Sequence, residues 1–418
     1  MKPRAPKPVT RTFQCPACGY TLELRAPGQA KTIACQACTS ILDADDPQHK
    51  IVTEYREKVQ KQDIPLGQRG TLRGIEYECL GVMFRQIVNA PQYAWKEYLL
   101  WNPYHGYHWL VESTGHWSLV KPCLGLPLMA EKQVAHYDGK LHTAYQKGRA
   151  EVTYVLGEFP WEVRRGDTVA TLDYIAPPHV LSKERDGGEV NWSYGEYLER
   201  GEVWKAFGLT TTPPPVQGIG AAQPSPYGPM GSMARAFVVF AVLALVIQVL
   251  SMALARNEKV AADSFTYRAT DRTTHVRILP DIVLEGRTSN LLIDVRPKID
   301  NSWVYFNYGL VETSTGQTFQ LGREVSYYHG VDDGERWSEG KRYDKAYLPM
   351  VPPGTYYLNI EPQVPPGTEV LDYTVTLRRD VPRVGFFFLL LFFLALPPVI
   401  VFARQQTFEH QRWIESDF

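Results

Sequence analysis

The chain has 418 residues, with 44 lysines and arginines against 45 aspartates and glutamates, so its formal net charge is −1. This length is too great for one ordinary core and predicts two or three folded units. The near-neutral balance argues against a protein that coats nucleic acid along its whole surface. Aromatic residues make up 12% of the chain, and 32 glycines and 31 prolines punctuate it, which favours a mainly β fold.

Residues 1–45 are predicted to form a zinc ribbon behind a basic arm. No apolar stretch follows residues 1–7, so we expect no cleavable signal peptide. Two residues between thiols allow a tight backbone knuckle, and two facing knuckles complete a tetrahedral site. Gly19 is expected to supply the positive φ that follows the first knuckle. The predicted ligands of this structural Zn²⁺ are Cys15, Cys18, Cys35 and Cys38.

Two alternatives remain for these thiols: a redox C-x-x-C motif, and a rubredoxin-type iron site. All six cysteines lie at or before Cys123, and their uneven placement is typical of a reducing compartment and a poor disulfide framework. Four protein ligands leave no coordination position open, so the metal is predicted to be structural and not a catalytic Lewis acid.

The basic arm bears on the choice of partner. A basic arm beside a ribbon can bind phosphates, but this one lacks the interleaved aromatic residues of a single-strand platform. We therefore rank a protein partner first and anionic lipid second, and we expect no nucleic acid. Six cations stand against Glu23 alone in residues 1–38: Lys2, Arg4, Lys7, Arg11, Arg25 and Lys31.

Residues 46–65 are predicted as a charged linker, with a short helix as the alternative, and residues 66–209 as a β-rich domain. Residues 107–112 and 116–120 flank a Ser-Thr-Gly turn and indicate a hairpin. Two short sequence patterns also recur, and we call each recurrence an echo. The pattern at 77–81 returns at 154–157, and the pattern at 95–99 returns at 192–198. This self-similarity predicts a duplicated β unit whose two copies bury their apolar faces against one another.

Two groups of polar side chains in this domain have the residue types of enzyme sites. A hairpin would place His108 and Glu112 on one face and allow a second metal site, but stacking within aromatic strands is the preferred interpretation. Glu97 and Glu196 fall at matching positions of the two echoes. We prefer pairing of each with an arginine of the same repeat to a catalytic role. Because the common catalytic fingerprints are absent, we predict no enzyme. The groups are His105, His108, Glu112 and His116, and Glu97 and Glu196.

The same domain resembles the bacterial domain of unknown function (DUF) 4178 family over about residues 66–209. The resemblance implies a β-rich fold without an established activity. It also implies a membrane-associated system, since family members tend to be encoded beside small membrane proteins and polyamine-synthesis-like enzymes; this association with a polyamine or envelope-stress system names no substrate. The motifs are WKEYLL at 95–100, WLVES at 109–113, GEFPW at 157–161, APP at 176–178, LSKER at 181–185 and WSYGEYL at 192–198.

Two long apolar stretches, residues 236–255 and 384–403, are predicted to be transmembrane helices. Each covers the roughly 30 Å of a hydrocarbon core. Pro397 and Pro398 are expected to kink the second. A buried core helix is the alternative. The preceding residues 210–234 are rich in Pro, Gly and Ser and are predicted to be a flexible tether.

The orientation rests on conflicting signals. Arginines and lysines near the spans slightly favour a cytoplasmic middle segment. Zinc thiolates and a long N-terminal region without a leader favour cytoplasmic termini. We predict an inner-membrane protein with two spans and cytoplasmic termini, including the tail 404–418, and with residues 257–382 extracytoplasmic.

Residues 262–380 are predicted to be an extracytoplasmic β-sandwich of immunoglobulin or jelly-roll type, because six or more short strands alternate with Gly and Pro turns. The acidic tip 332–335 suggests calcium, although its spacing fits a solvated turn better. Tyr327, Tyr328 and Trp337 nearby fit a sugar, a partner protein or the core. The small-molecule ligand is unknown.

The modules together predict a non-enzymatic membrane scaffold. The ribbon and the β-rich domain would bind cytoplasmic protein partners, and the sandwich would contact the envelope. The first alternative is a transmembrane receptor for an extracytoplasmic ligand, ranked lower because a flexible tether transmits little force. The second is a membrane-tethered enzyme that uses the hairpin of His105, His108 and His116.

Overall fold

The computed structural model describes residues 10–26, 28–55, 58–131, 133–228, 230–271 and 275–418. Lys2, Arg4 and Lys7 of the predicted basic arm lie outside these ranges. Contacts divide the chain into two compact units. The N-terminal unit comprises Met1–Met230 and Ile400–Phe418, and the middle unit comprises Gly231–Val399.

The N-terminal unit is built almost entirely of antiparallel strands. In chain order these are β1 (Arg11–Gln14), β2 (Thr21–Leu24), β3 (Thr32–Ala34), β4 (Ile41–Asp43), β5 (Ile51–Thr53), β6 (Arg69–Leu72), β7 (Ile75–Ile87), β8 (Ala90–Asn102), β9 (Gly106–Ser113), β10 (His116–Pro122), β11 (Leu128–Glu131), β12 (Val134–Tyr137), β13 (Lys140–Phe159), β14 (Thr168–Ala176), β15 (His179–Asp186) and β16 (Glu189–Leu198).

Eight of these strands form a closed ring of pairing. The meander β7–β8–β9–β10 and the meander β13–β14–β15–β16 join through β10 with β16 and through β13 with β7. Gly81 and Gly157, which end the first predicted echo, are register partners across the β7–β13 joint. The ring therefore consists of two four-stranded meanders that pair antiparallel at both junctions.

The centre of the ring is covered on both sides of the sheet. Val82 and Tyr98 lie in one apolar cluster, and Met83 and Leu99 lie in another. Neighbouring residues of a strand point to opposite faces, so β7 and β8 contribute to two cores at once. This explains why the middle of β7 is buried without alternation.

A short helix, α1 (Arg200–Phe207), follows β16 and ends at Gly208, which adopts φ +62°. Val203, Trp204 and Phe207 are its buried residues. Trp204 meets Trp117 edge-on at a ring distance of 5.5 Å. The helix thereby extends the core cluster that contains Tyr98.

The stretch predicted as a linker at 46–65 is partly packed. β5 pairs with β4, and Ile64 is fully buried. The backbone N–H of Asp63 donates to the Tyr98 hydroxyl at 3.0 Å. Backbone bonds to strand side chains hold this charged stretch, and such contacts leave no signal in composition.

The predicted tether at 210–234 also contacts the fold. The N–H of Gln217 donates to the carbonyl of Thr114 at 2.9 Å, and the Trp204 indole donates to the carbonyl of Thr211. Ala222 is buried. The prediction of a freely moving tether is wrong for this part of the segment, because its backbone, and not apolar side chains, supplies the contacts.

Two long apolar helices follow: α2 (Met230–Leu254) and α3 (Gly385–Ile414). Both are long and apolar enough to cross a membrane, and neither is buried in its apolar window. α3 contains Pro397 and Pro398 and continues eleven residues past the predicted stretch, since residues 404–414 are mostly polar but still helical. The predicted cytoplasmic tail is thus mostly the end of a helix.

The middle unit between these helices is a two-sheet sandwich. One sheet has the order β17–β25–β19–β23 and the other β18–β24–β20–β21–β22. A single core cluster draws residues from both. The strands are β17 (Glu258–Arg268), β18 (Arg277–Leu284), β19 (Ser289–Pro297), β20 (Ser302–Glu312), β21 (Thr318–Asp332), β22 (Glu335–Gly340), β23 (Asp344–Val351), β24 (Gly354–Gln363) and β25 (Val370–Arg379).

The acidic tip of this unit is a tight hairpin turn. Asp332 and Glu335 are register partners, and Asp333 and Gly334 adopt φ +48° and +84° between them. Positive φ at both central residues is typical of a two-residue hairpin turn. The geometry agrees with the solvated turn that spacing favoured over a calcium loop. Trp337 beside it is 46% exposed.

Candidate metal centre

Two knuckles with matching backbone geometry form the cysteine site. In the first, the N–H of Gly19 donates to the carbonyl of Cys15 at 2.8 Å. In the second, the N–H of Thr39 donates to the carbonyl of Cys35 at 2.9 Å. The residues that close the knuckles adopt φ +75° at Gly19 and +63° at Thr39. The expected role of Gly19 is confirmed, and Thr39 holds the same conformation despite its branched side chain.

The four sulfurs are spaced as a tetrahedral metal requires. Cys15 Sγ lies 3.8 Å from Cys38 Sγ, and Cys18 Sγ lies 3.7 Å from Cys35 Sγ. All four sulfurs lie within 4.8 Å of one another. A tetrahedron with zinc–sulfur bonds of about 2.3 Å has edges of about 3.8 Å. The four cysteines could therefore hold one metal ion.

The site is largely shielded from water. Cys15, Cys35 and Cys38 are buried and Cys18 is exposed. Burial raises the pKa of the Cys35 thiol to about 12. Without a cation this thiol therefore stays protonated at neutral pH, so metal binding must displace a proton. The N–H of Ala37 points at the Cys35 sulfur at 3.4 Å and can stabilise its thiolate.

Arg25, one of the cations of the basic arm, binds carboxylates. Its guanidinium contacts Glu78 at 3.0 Å and Glu23 at 2.5 Å. Glu158 of β13 accepts hydrogen bonds from the backbone N–H groups of Arg25 and Ala26 at 2.7 and 2.9 Å. Burial raises the pKa of Glu158 to about 7. These contacts fasten the ribbon to the strand ring.

The ribbon is also continuous with the ring through its backbone. β3 pairs with β13, with Ile33 opposite Glu158 and Ala34 opposite Gly157. The Thr32 hydroxyl donates to the carbonyl of Trp161 at 2.9 Å. The second knuckle therefore lies between strands β3 and β4 of the larger sheet.

The histidine hairpin has the contacts of the preferred, structural interpretation. His108 packs on Tyr77 with ring centres 5.1 Å apart. His116 bonds the Tyr197 hydroxyl at 3.1 Å and the carbonyl of Gln217 at 3.2 Å. Burial lowers the pKa of both rings, so both are neutral at pH 7.

The other members of that group also have local roles. Glu112 accepts from the N–H of Gly115 and pairs with Lys96 at 3.3 Å. The backbone N–H of His105 donates to Asn102 at 3.0 Å. Within the described ranges, the four cysteines are the group of His, Cys, Asp or Glu side chains whose ligand atoms converge.

Glu97 and Glu196 do not occupy equivalent positions. Glu97 lies on β8, the second strand of its meander, and Glu196 lies on β16, the last strand of the other. The second echo was therefore misleading. Glu97 pairs with Arg85 of its own meander at 3.0 Å, as expected. Glu196 pairs at 2.9 Å with Arg73, which precedes β7 and lies outside its meander, so the expectation is wrong for Glu196.

The sequence did not predict the buried charge cluster around Arg85. Its guanidinium bonds both Glu97 of β8 and Glu184 of β15, the latter at 2.7 Å. Nearby, burial raises the pKa of Asp173 to about 6, and its carboxylate accepts from Ser182. An arginine within an apolar strand is the only sequence signal, and it does not identify partners on strands that are distant in sequence.

The strand ring matches a known protein family. Residues 65–200 match the family described as "Domain of unknown function (DUF4178)". This segment is a DUF4178 domain. The match confirms the resemblance over the two meanders, β6 and the start of α1. No curated protein sequence matches the chain.

Two solved structures share limited likeness with the chain that carries the DUF4178 domain. One is dimeric latent PorU from Porphyromonas gingivalis, at 11% identity and a TM-score of 0.14; 52% of this chain aligns with 19% of that one. The other is a glycoside hydrolase family 43 arabinoxylan arabinofuranohydrolase from Bacillus subtilis in complex with cellotetraose, at 10% identity, a TM-score of 0.17 and coverage of 82% and 74%. The chain thus spans about a fifth of the PorU length, and TM-scores this low carry no argument about fold or function.

Proposed function

We propose that this protein is a non-enzymatic scaffold of the inner membrane. The DUF4178 domain and the zinc ribbon would recruit cytoplasmic proteins, and the sandwich would contact the envelope. The observation that carries the proposal is a closed four-cysteine centre joined by backbone pairing to the DUF4178 domain, in a chain with two exposed apolar helices. Such a centre stabilises a surface and leaves no open ligand position for chemistry.

The metal in this proposal is Zn²⁺. Four cysteine sulfurs at tetrahedral spacing suit zinc, and a bound ion would hold β1, β2 and the loop before β4 together. Metal analysis of the purified full-length protein tests this directly. One zinc per chain is expected. One iron per chain would instead indicate a rubredoxin-type iron site.

The proposed topology places both termini in the cytoplasm and residues 257–382 outside. The argument is that thiolates need a reducing compartment, while the sandwich contains no cysteine. A fluorescent protein fused after Phe418 should fold and fluoresce, and alkaline phosphatase inserted after Gly316 should be active. The reverse pattern would overturn the orientation, and release of the protein by alkaline carbonate would overturn the membrane assignment.

Recruitment of partners is tested by purification in mild detergent. We expect a reproducible set of proteins to purify with the full chain and to be lost from a Cys15→Ser, Cys18→Ser variant that cannot hold metal. A Cys123→Ser variant is the matched control, since Cys123 lies outside the metal centre. An identical set of proteins with both variants would remove the ribbon from the proposal.

A transmembrane receptor is the second candidate, favoured by one observation. The end of α3 is bonded to the DUF4178 domain, with the Tyr145 hydroxyl donating to the carbonyl of Arg412 at 2.9 Å. A receptor would show changed hydrogen exchange in residues 65–200 when a ligand occupies the sandwich. The enzyme alternative has less support, because His108 and His116 are already engaged in packing and hydrogen bonds.

A further inference from the structure

An exposed apolar surface lies beside β13 of the N-terminal unit. It contains residues from the loop after β10, from β11 and from the start of β13, and we call it the leucine surface. Together its members expose on the order of 600 Å² of apolar area, which equals the largest patch of an ordinary soluble monomer. They are Leu124 (98% exposed), Leu126 (81%), Leu128 (70%), Met129 (48%) and Leu141 (62%).

The leucine surface is held in place by ordered contacts. The backbone N–H of Cys123 donates to the carbonyl of Trp192 at 2.9 Å. The N–H of Leu124 donates to the Tyr137 hydroxyl at 3.1 Å. Pro127, the last residue of the loop, is buried. Because the loop is anchored on both sides, its leucines are presented to the outside and do not fold back into the core.

Strand register makes the surface continuous. Leu128 of β11 lies opposite His136 of β12, and His136 lies opposite Leu141 of β13. Directly paired residues share one face of a sheet, so Leu128 and Leu141 point to the same side with His136 between them. All three side chains are exposed.

β13 runs from the leucine surface to the contacts with the end of α3. Alternation places Leu141 and Thr143 on one side of the strand, and a bulge between Ala144 and Gln146 lies at those contacts. Tyr145 is covered by Trp413, with ring centres 5.5 Å apart, and its carbonyl accepts from the N–H of Asp417 at 2.9 Å. Four residues of strand span about 13 Å, so the leucine surface begins within that distance of the docked helix end.

The apolar part of α3 lies close to this docking point. The polar turns from Arg404 to Trp413 add ten residues of helix, or about 15 Å at 1.5 Å per residue. Each headgroup region is about 5–7 Å deep, which is half the difference between the roughly 30 Å hydrocarbon core and the 40–45 Å bilayer. The docked helix end thus lies about 9 Å beyond the headgroups. This gap is shorter than the roughly 13 Å of β13 between the helix end and the leucine surface, so the surface is within reach of the interface.

We propose that the leucine surface inserts into the interfacial region of the bilayer that α3 crosses, as a third membrane contact of the chain. The inference rests on the membrane assignment made above. Among the described residues beside the surface, Lys121 and Lys140 stand against Glu131 and Asp138. Insertion is therefore driven by apolar burial and should not depend on anionic lipid.

The test places a fluorescent probe on the surface of the full-length protein. Leu126→Cys in a Cys123→Ser background is labelled and reconstituted into vesicles of phosphatidylcholine, with or without phosphatidylglycerol. Cys79 is fully buried, and in zinc-loaded protein the four other cysteines would be metal ligands, so the label would be specific. The matched control is Asp186→Cys, an exposed polar position at the end of β15.

We expect lipid-bound nitroxide to quench the Leu126 label several-fold more than the Asp186 label, equally in both lipid mixtures. Equal quenching of the two labels would overturn the proposal. So would self-quenching between Leu126 labels with no lipid quenching, which would assign the surface to a second copy of the chain. Zinc content checks the fold of each variant, and Leu128→Cys repeats the test if the first variant lacks metal.

The same vesicles distinguish an error in the third membrane contact from an error in the membrane assignment. If carbonate fails to release the protein from vesicles but the label stays unquenched by lipid, the third contact is wrong and the two spans stand. If carbonate releases the protein, the membrane assignment itself is wrong. Each result is read on the same vesicle preparation.

Discussion

Removal of the Arg412 guanidinium should release the end of α3 from the DUF4178 domain. The Arg412 side chain is 0% exposed and pairs with Glu409 at 3.0 Å. Its remaining donors reach the backbone carbonyls of the segment that leads to α2: Gly220 at 2.9 Å, Ala221 at 2.7 Å and Gln223 at 2.6 Å. One side chain thus joins the C-terminal helix to a polar segment nearly two hundred residues earlier.

The expected size of the effect follows from those three carbonyls. Arg412→Met keeps most of the volume and removes every donor. Each buried acceptor left without a partner costs about 1–3 kcal/mol, so the low end of the sum is about 3 kcal/mol. The low end applies because the freed segment can separate and bind water. A change of about 3 kcal/mol raises the local opening constant on the order of 100-fold, with no unfolding of the ring.

Hydrogen exchange of the full-length protein in detergent measures this opening. Amides of residues 216–223 and of Asp417, whose N–H bonds Tyr145, should lose protection in Arg412→Met. Arg412→Lys should be intermediate, since an ammonium lacks the planar fork that reaches several carbonyls. Arg404→Met, at an exposed position of the same helix, is the control and should match the wild type.

Two results would refute this reasoning. If residues 216–223 exchange at the wild-type rate in Arg412→Met, the guanidinium does not hold the segment. If protection falls across the whole ring and zinc is lost, Arg412 supports the fold at large and the contact is not a local one.

Three further expectations concern the metal centre and its attachment. Cys38→Ser should abolish bound zinc in metal analysis, whereas Cys123→Ser should keep one zinc per chain. Gly19→Ala places a Cβ in open space at φ +75°, so its cost is conformational, about 1 kcal/mol, and zinc affinity in a chelator competition should fall about fivefold; Thr39→Gly, at φ +63°, should not weaken it. The pKa of Glu158 is raised by burial from 4.5 to about 7, so the stability it contributes is present below pH 4.5 and lost as pH rises through 7. Exchange of the β3 amides, corrected for intrinsic rate, should therefore increase over that window in the wild type and stay flat in Glu158→Gln.

Local patterns were sufficient to predict the metal centre. The two C-x-x-C spacings specify knuckles whose hydrogen bonds run within five residues, and Gly19 marks the positive φ. Thr39 shows the limit of this reasoning. Its conformation is imposed by the second knuckle, and nothing about a threonine in sequence indicates it. Tertiary constraint overrides the preference of the residue.

The sequence did not predict which strands pair when they lie far apart in the chain. The pairing of Ile33 with Glu158 joins segments far apart in the chain, and it makes the ribbon an edge of the larger sheet. The second echo failed for a related reason. Trp95 and Trp192 share local pattern but lie on strands of different rank in their meanders, because similar aromatic strands recur wherever a sheet is covered on one face.

The segment 210–223 was predicted to be flexible because it offers few apolar side chains. That argument left out hydrogen bonds to the backbone. Backbone carbonyls are obligatory acceptors, and a buried guanidinium can satisfy several of them at once. Arg412 does so for Gly220, Ala221 and Gln223. The receptor alternative was ranked lower on the ground that a loose tether transmits little force. With the end of α3 and the approach to α2 bonded to one another, that objection no longer applies to residues 210–223. A displacement of α3 would have to move this segment or break the Arg412 contacts, so the exchange rate of residues 216–223 is also the quantity in which a signal from the sandwich would appear.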